Sequence, residues 1–220
     1  MPYAVVQESL DPPTLEQLSE AFAAVPTLTR IDACTQMRDC YGILMGNISL
    51  EHANTLCGAL GAQGVQCFVV DEAELPALPP VVICLRAELS SECLTLYDTL
   101  DRSECQAWAD VMLLAAGVVK FPNSRQPELL LDLVLRDDRR FRVPARRAHY
   151  DYLADRRTTG WRDNFVLLVR DMAQYASGAI VARGAEMLTQ EPPSIFSYPS
   201  LHGFEEEMVW HLWAFGGRQG

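Results

Sequence analysis

The segment Glu74–Pro80, with the sequence ELPALPP, divides the chain into two parts. Three of its last five residues are proline, which fixes the backbone and removes a hydrogen-bond donor, so neither a helix nor an inner strand can run through it. The chain has 220 residues, of which 49% are apolar, and is therefore long enough for two small domains. We predict a first domain of residues 1–75, a linker of residues 76–80, a second domain of residues 81–176 and a helical tail of residues 177–220.

The first domain is predicted to have the element order β-α-β-β-α-β. Thr14 and Gln17 fit a capping box, and the apolar residues that follow step by three and four positions, as on one face of a helix. Ser49 fits the cap of a second helix, which Gly61 or Gly64 would end. The predicted strands are the short apolar segments Tyr3–Val6, Leu28–Ala33, Tyr41–Met45 and Val65–Val70.

The second domain is predicted to be a small antiparallel sheet or barrel followed by one helix. Asp137 and Asp138 suit a tight turn between two of its strands. Apolar side chains from Trp161 to Tyr175 recur at helical spacing, which predicts the helix. The predicted strands are the apolar segments Val81–Leu85, Leu94–Tyr97, Cys105–Trp108, Val111–Phe121, Leu129–Leu135 and Arg140–Val143.

The stretch NISLEHANTLCGALGAQGVQCFVVDE, residues 47–72, combines a helix, a glycine turn and an edge strand. Together with the predicted order of elements, it resembles small ferredoxin-like regulatory modules, and the resemblance covers residues 1–75. Such modules are frequently non-catalytic. The resemblance therefore implies a ferredoxin-like fold and a role in binding or subunit pairing.

The string WADVMLLAAGVV, from Trp108 to Val119, is similar to a stretch of bacterial PH-like and GRAM-like modules, and the resemblance spans residues 79–176. It implies an α+β chain whose second domain is a PH-like antiparallel strand meander or barrel with a C-terminal helix. One feature departs from lipid-binding PH domains, because the first hairpin carries Glu88 and Glu92 where those domains place basic residues. Phosphoinositide binding is therefore not implied.

The formal net charge of −11 argues against a protein that binds nucleic acid or anionic membranes. No apolar run reaches the roughly 18 residues that a membrane-spanning helix needs. The N-terminal sequence MPYAVVQESLDPP also lacks the basic segment and apolar run of a secretory signal. We therefore expect a cytoplasmic protein with no membrane span.

Residues 136–162 carry nine of the 18 basic residues, and all nine are arginine. Their contrast with an acidic first domain indicates self-association or an anionic ligand. Arginine can hold a carboxylate or phosphate through two parallel hydrogen bonds, so we predict that this segment binds an anion. The alternative is that these arginines form a solvated strand face and loop. The candidate ligand-binding residues are Arg140, Arg142, Arg146, Arg147 and His149.

Familiar catalytic, metal-binding and phosphate-binding motifs are absent from the sequence. His149 with Arg147 and Asp151 could form a dispersed catalytic site, but a polar connection before the helix is the simpler interpretation. The seven cysteines form no C-x-x-C pair, and no two histidines are four residues apart. We therefore predict no metal, no cofactor and cysteines that act as small apolar residues.

Three functions are consistent with these features. The first is a non-catalytic scaffold that acts through protein–protein interaction or self-association, the second a sensor of a small anionic ligand held by residues 139–147, and the third an enzyme with a site around His149. The last apolar helix could pack on its own chain or serve a partner subunit. Its candidate interface residues are Phe204, Met208, Trp210, Leu212 and Trp213.

Overall fold

A computed structural model describes residues 1–122, 124 and 126–216. They form two compact units of a mixed α+β protein, which confirms the predicted class. Unit 1 consists of Met1–Ala77 and the segment that begins at His202, and unit 2 consists of Leu78–Leu201. The boundary after Ala77 falls inside the predicted linker. The residues predicted as a separate tail are instead divided between the two units.

The chain builds unit 1, then unit 2, and then returns to unit 1. The elements of the first part of unit 1 are β1 (Tyr3–Gln7), α1 (Leu15–Ala23), α2 (Arg30–Asp39), β2 (Ile43–Ile48), α3 (Leu50–Ala62) and β3 (Cys67–Asp71). The elements of unit 2 are β4 (Val81–Leu89), β5 (Cys93–Asp98), β6 (Ser103–Ala107), β7 (Val111–Val119), β8 (Glu128–Leu135), β9 (Arg140–Pro144), α4 (Trp161–Tyr175), β10 (Ile180–Val181), α5 (Arg183–Thr189) and β11 (Ser197–Tyr198). The last element is α6 (Leu201–Gly216).

Helix α1 begins with the capping box predicted from the sequence. The Thr14 backbone N–H donates to the Gln17 side chain at 2.8 Å, and the Gln17 backbone N–H donates to the Thr14 hydroxyl at 3.2 Å. These two bonds satisfy backbone donors that have no partner inside the helix. The start of α1 is thus fixed by four consecutive residues.

The predicted strand at Leu28–Ala33 is wrong, because these residues lead into helix α2. A second capping box starts this helix: the Thr29 backbone N–H and hydroxyl both donate to the Asp32 carboxylate, at 2.7 and 2.6 Å. The hydroxyl bond and then the backbone bond hold the pKa of Asp32 below its usual value. The element order of unit 1 before α6 is therefore β-α-α-β-α-β instead of β-α-β-β-α-β.

Strand β1 lies in the middle of the three-stranded sheet of unit 1, antiparallel to both β2 and β3. Because side chains alternate along a strand, Val5 joins the core with α1 and α3, whereas Ala4 and Val6 face the other side of the sheet. On that side Trp210 of α6 completes a second cluster. The sheet of unit 1 therefore has apolar cover on both faces.

Unit 2 contains an eight-stranded mixed sheet with the order β10-β7-β8-β9-β4-β5-β6, in which β11 also pairs with β7. The predicted antiparallel meander is wrong at one place, since β4 runs parallel to β9. Strands β10 and β11, which run parallel to β7, belong to the segment predicted as a helical tail. Helix α4 contributes Phe165, Leu168 and Met172 to the core of this unit. Its predicted bounds, Trp161 to Tyr175, are confirmed.

Helix α5 lies so close to β7 that no side chain fits at Gly184. A Cβ atom added there would stand 2.0 Å from the carbonyl oxygen of Ala116. We expect Gly184→Ala to lower the free energy of unfolding by about 1–3 kcal/mol, because helix and strand must separate to admit the methyl group. Urea denaturation measures this loss. The matched control is Gly178→Ala, where nothing lies within 4 Å of the added atom, and equal losses in both variants would contradict the prediction.

Candidate functional site

The structure divides the predicted arginine segment into a buried part and an exposed part. Arg140 and Arg142 lie on one face of β9 and are only 3% and 7% exposed. Asp132, which is directly opposite Arg142 in the β8–β9 register, accepts from Arg140 Nε at 2.7 Å and from Arg142 Nε and Nη2 at 2.8 Å each. These two predicted ligand-binding residues are therefore engaged inside the protein, and the surface clefts are lined by other residues.

Arg146 and Arg147 are exposed and line a cleft of about 460 Å³ in unit 2. Helix α4 supplies the opposite wall with Trp161 and Arg162 from its first turn. Among the residues that the structure describes, one acidic side chain, Glu128, lines the cleft. Three arginines of the described residues, Arg146, Arg147 and Arg162, thus line one cleft in a protein whose net charge is strongly negative.

Two of these arginines have their guanidinium groups near the indole of Trp161. The Arg146 guanidinium carbon lies 5.8 Å from the centre of this ring, and that of Arg162 lies 5.2 Å from it. Arg146 also donates to the Gln126 side chain at 2.8 Å. The contacts hold two of the three arginines at the cleft and keep their charges at its rim.

Hydrogen bonds hold the turn after β9, which carries Arg146 and Arg147. After β9 the chain turns, with the backbone N–H groups of Arg147 and Ala148 donating to Pro144 O at 3.0 Å. The buried hydroxyl of Tyr150 donates to Ala145 O at 2.6 Å, and burial raises the pKa of this tyrosine. The exposed Arg146 and Arg147 therefore lie in a hydrogen-bonded turn.

The start of α4, which carries Trp161 and Arg162, is held by Asn164. Its Oδ1 accepts from the Thr158 backbone N–H at 2.8 Å, and its Nδ2 donates to Thr158 O at 2.9 Å. Asn164 is 3% exposed, so these bonds are shielded from competing water. Hydrogen bonds thus hold the start of α4, as they hold the turn after β9.

His149 lies apart from this cleft. It is exposed, its backbone N–H donates to Leu85 O at 2.7 Å, and it lines a separate pocket of about 270 Å³ together with Asp151. Arg86 in that pocket pairs with Asp101 at 3.0 Å. The hypothetical catalytic trio is therefore not assembled, because Arg147 lines one cleft while His149 and Asp151 line another.

A larger and more open depression of about 710 Å³ lies between α4 and α5. Its arginine, Arg170, pairs with Glu191 at 2.6 Å and donates to the backbone carbonyl of Gln190 at 2.7 Å. Two glutamates, Glu186 and Glu191, also line it. Its charge thus disfavours an anion, in contrast to the cleft at Trp161.

Four of the five predicted interface residues are buried within the chain: Phe204, Met208, Trp210 and Leu212. Trp210 packs on the sheet of unit 1, and its Nε1 donates to Gln7 O at 2.8 Å. Trp213 is half-buried, and its ring lies 5.9 Å from that of Phe68. Of the two predicted uses of the last helix, the contacts of Trp210 fit packing on its own chain.

Among the residues that the structure describes, no three His, Cys, Asp or Glu side chains form a group that could hold a metal ion. Within the same residues, no helix is both long enough and apolar enough to cross a membrane. Comparison with known proteins finds no matching family, no similar curated protein and no similar solved structure.

Trp161 and Arg162 were not among the candidate residues predicted from the sequence. The sequence indicates Trp161 only as the first apolar position of a helix and Arg162 only as one of nine arginines. Their partners Arg146 and Arg147 lie fifteen positions earlier, and only the packing of α4 beside the end of β9 brings the two pairs together. A tryptophan at the very start of an amphipathic helix, next to an arginine, was the available signal.

Proposed function

We propose that the protein is a non-catalytic binding protein that holds a small phosphate- or carboxylate-bearing ligand in the cleft at Trp161. The observation that supports this most directly is that Arg146, Arg147 and Arg162 line one cleft, where Glu128 is the one acidic side chain among the described residues. Guanidinium groups bind such anions through paired, charge-assisted hydrogen bonds. The indole supplies an apolar floor against which the ligand excludes water.

The buried ion pairs of the neighbouring strands support a binding role better than a catalytic one. Asp132 neutralises charge within β8 and β9, while the exposed arginines of the following turn keep theirs available at the rim. The cleft contains no histidine, cysteine or nucleophile–base pair among its described residues. A site with three arginines and one described carboxylate, Glu128, is better suited to bind an anion than to activate a nucleophile.

Titration of the full chain with inorganic phosphate, pyrophosphate and citrate tests the proposal. We expect one ligand of this class to bind at a single site, and the double variant Arg146→Ala/Arg147→Ala to weaken its Kd by about 100-fold, since each charge-assisted contact contributes about a factor of ten or more. Arg162→Ala should weaken the Kd by about tenfold. Isothermal titration calorimetry at fixed salt measures these changes.

A matched control is Arg156→Ala/Arg157→Ala, which removes the same charge from a neighbouring segment outside the cleft. These arginines pair with Asp171 and Asp151. The control should bind within about twofold of the unaltered protein, because screened charges outside the site contribute little. Equal weakening in both double variants, or no binding of any of the three anions at millimolar concentration, would contradict the proposed site.

A protein partner or self-association is the second candidate function. It is favoured by Phe68, which is 45% exposed on the edge strand β3 and contacts Trp213. Light scattering at low and high salt tests it: a monomer under both conditions rules out self-association. The assignments to ferredoxin-like and PH-like modules stay predictions, since α2 and the parallel pairing of β4 with β9 depart from the expected orders.

A further inference from the structure

Two cysteine thiols meet in unit 1, far from the arginine cleft in sequence. Cys57 lies on α3 and Cys67 is the first residue of β3, and their Sγ atoms are 3.1 Å apart. Cys57 Sγ also lies 3.2 Å from the backbone carbonyl of Cys67, and Cys67 Sγ lies 3.7 Å from that of Cys57. The two side chains are half-buried and face each other.

The connection between α3 and β3 explains this meeting. Gly64, with a φ of 81°, turns the chain after the helix, and the Val65 backbone N–H donates back to Leu60 O at 3.0 Å. A positive φ of this kind is characteristic of glycine at helix ends. The chain therefore folds back at once, and residues ten positions apart come into contact.

The distance between the sulfur atoms is about 1 Å longer than a disulfide bond, which measures about 2.05 Å. Small rotations about the two Cα–Cβ bonds reduce a separation of this size. The reciprocal contacts with the two backbone carbonyls place both main chains near the pair. The local geometry therefore suits an intramolecular disulfide.

We propose that Cys57 and Cys67 are a thiol-oxidation site that forms a reversible disulfide by exchange with a small-molecule disulfide. The Cys57 thiolate attacks one sulfur of the donor, whose S–S bond breaks, giving a mixed disulfide and one released thiolate. Cys67 then attacks Cys57 Sγ, the mixed bond breaks and the second thiolate leaves. The two protons of the protein thiols end on the two released thiols, so the protein is oxidised by two electrons and the donor is reduced by two.

The two cysteines differ in their roles. Burial, the hydrogen bond with Cys57 and the negative charge that Cys57 would carry all raise the pKa of Cys67. Cys67 therefore keeps its proton and donates it towards Cys57 Sγ, which favours Cys57 as the attacking thiolate. By comparison, Cys84 is buried in unit 2, where burial raises its pKa to about 12, and we expect it to be inert.

The experiment uses the folded full chain, reduced with dithiothreitol and then treated with excess glutathione disulfide. Remaining thiols are blocked with N-ethylmaleimide under denaturing conditions, and the chain is cut after glutamate. The peptide of residues 52–72 contains Cys57 and Cys67 and no other cysteine. We expect it to lose about 2 Da and to carry no maleimide, whereas the reduced protein should give the same peptide with two maleimides.

Serine variants separate the two roles. Cys67→Ser should accumulate one glutathione on Cys57, because no second thiol is present to displace it. Cys57→Ser should react with glutathione disulfide at Cys67 about tenfold more slowly than Cys67→Ser reacts at Cys57. The matched control Cys34→Ser, in the same unit, should still form the disulfide. Two free thiols in the 52–72 peptide after treatment, or oxidation that joins Cys57 to any other cysteine, would overturn the proposal.

Discussion

Asp132→Asn should lower the free energy of unfolding by about 3–5 kcal/mol, the loss expected when one partner of a buried ion pair is removed. Asp132 is fully buried and accepts hydrogen bonds from both Arg140 and Arg142. Asparagine has nearly the same shape, but it carries no charge and turns an N–H₂ group towards one guanidinium. Urea denaturation followed by circular dichroism measures the change.

Asp137→Asn is the control for this substitution, because it makes the same chemical change in the turn between β8 and β9. Asp137 is exposed, and its pKa is lowered chiefly by a hydrogen bond from Arg139. Exposed ion pairs are screened by solvent and contribute little, so a much smaller loss is expected. If the two variants lose the same stability, Asp132 does not act as the charge partner of the buried arginines.

Trp210→Ala should destabilise unit 1 by about 3–5 kcal/mol, the usual cost of truncating a buried aromatic residue to alanine. Trp210 is 6% exposed and packs with Ala4, Val6 and Ile43, and its hydrogen bond to Gln7 O would also be lost. Hydrogen–deuterium exchange resolves the effect by region, and the amides of β1 should exchange much faster in the variant.

Trp213→Ala is the matched control on the same helix. Trp213 is half-buried, and its aromatic contact is with the exposed Phe68, so its removal should cost less stability than that of Trp210. The alternative use of α6, in which Trp210 serves a partner subunit, predicts a different pattern. In that case Trp210→Ala would change the mass in light scattering and leave the exchange of β1 amides unaltered.

The features of the fold that could be predicted are those encoded by neighbouring residues. The capping box at Thr14 and Gln17, the cap at Ser49 and the bounds of α4 depend on side chains within one or two helical turns of each other. The segment Leu28–Ala33 was misassigned because its apolar residues outweighed the sequence of Thr29 and Asp32, which is itself a capping box. The Thr29 and Asp32 pair is a local signal for a helix start that outweighs the apolar pattern of this segment.

The candidate site could be predicted only in part, because it depends on contacts between distant residues. Arg146 and Arg147 could be selected from the sequence because arginine density is visible there, but the same criterion also selected Arg140 and Arg142. Their burial depends on the register that places Asp132 opposite Arg142. The predicted turn at Asp137 and Asp138 joins the two strands, but the apolar pattern does not mark the face of Arg140 and Arg142 as buried. Exposed and buried arginines of one segment therefore look alike in the sequence. The contact between Cys57 and Cys67 could not be predicted either, because no simple spacing rule places a helix residue beside a residue of the strand that follows it.

Unit 1 is continuous in space but interrupted in the chain, because Leu78–Leu201 lies between β3 and α6. During synthesis a ribosome therefore finishes all of unit 2 before it makes Trp210. Until then, the face of the nascent sheet that carries Ala4, Val6, Ile43 and Val70 lacks the indole that completes its cluster. Unit 1 is thus the first unit to be synthesised and the last to complete its fold. A truncated product that lacks α6 would expose this apolar face to chaperones or to other nascent chains.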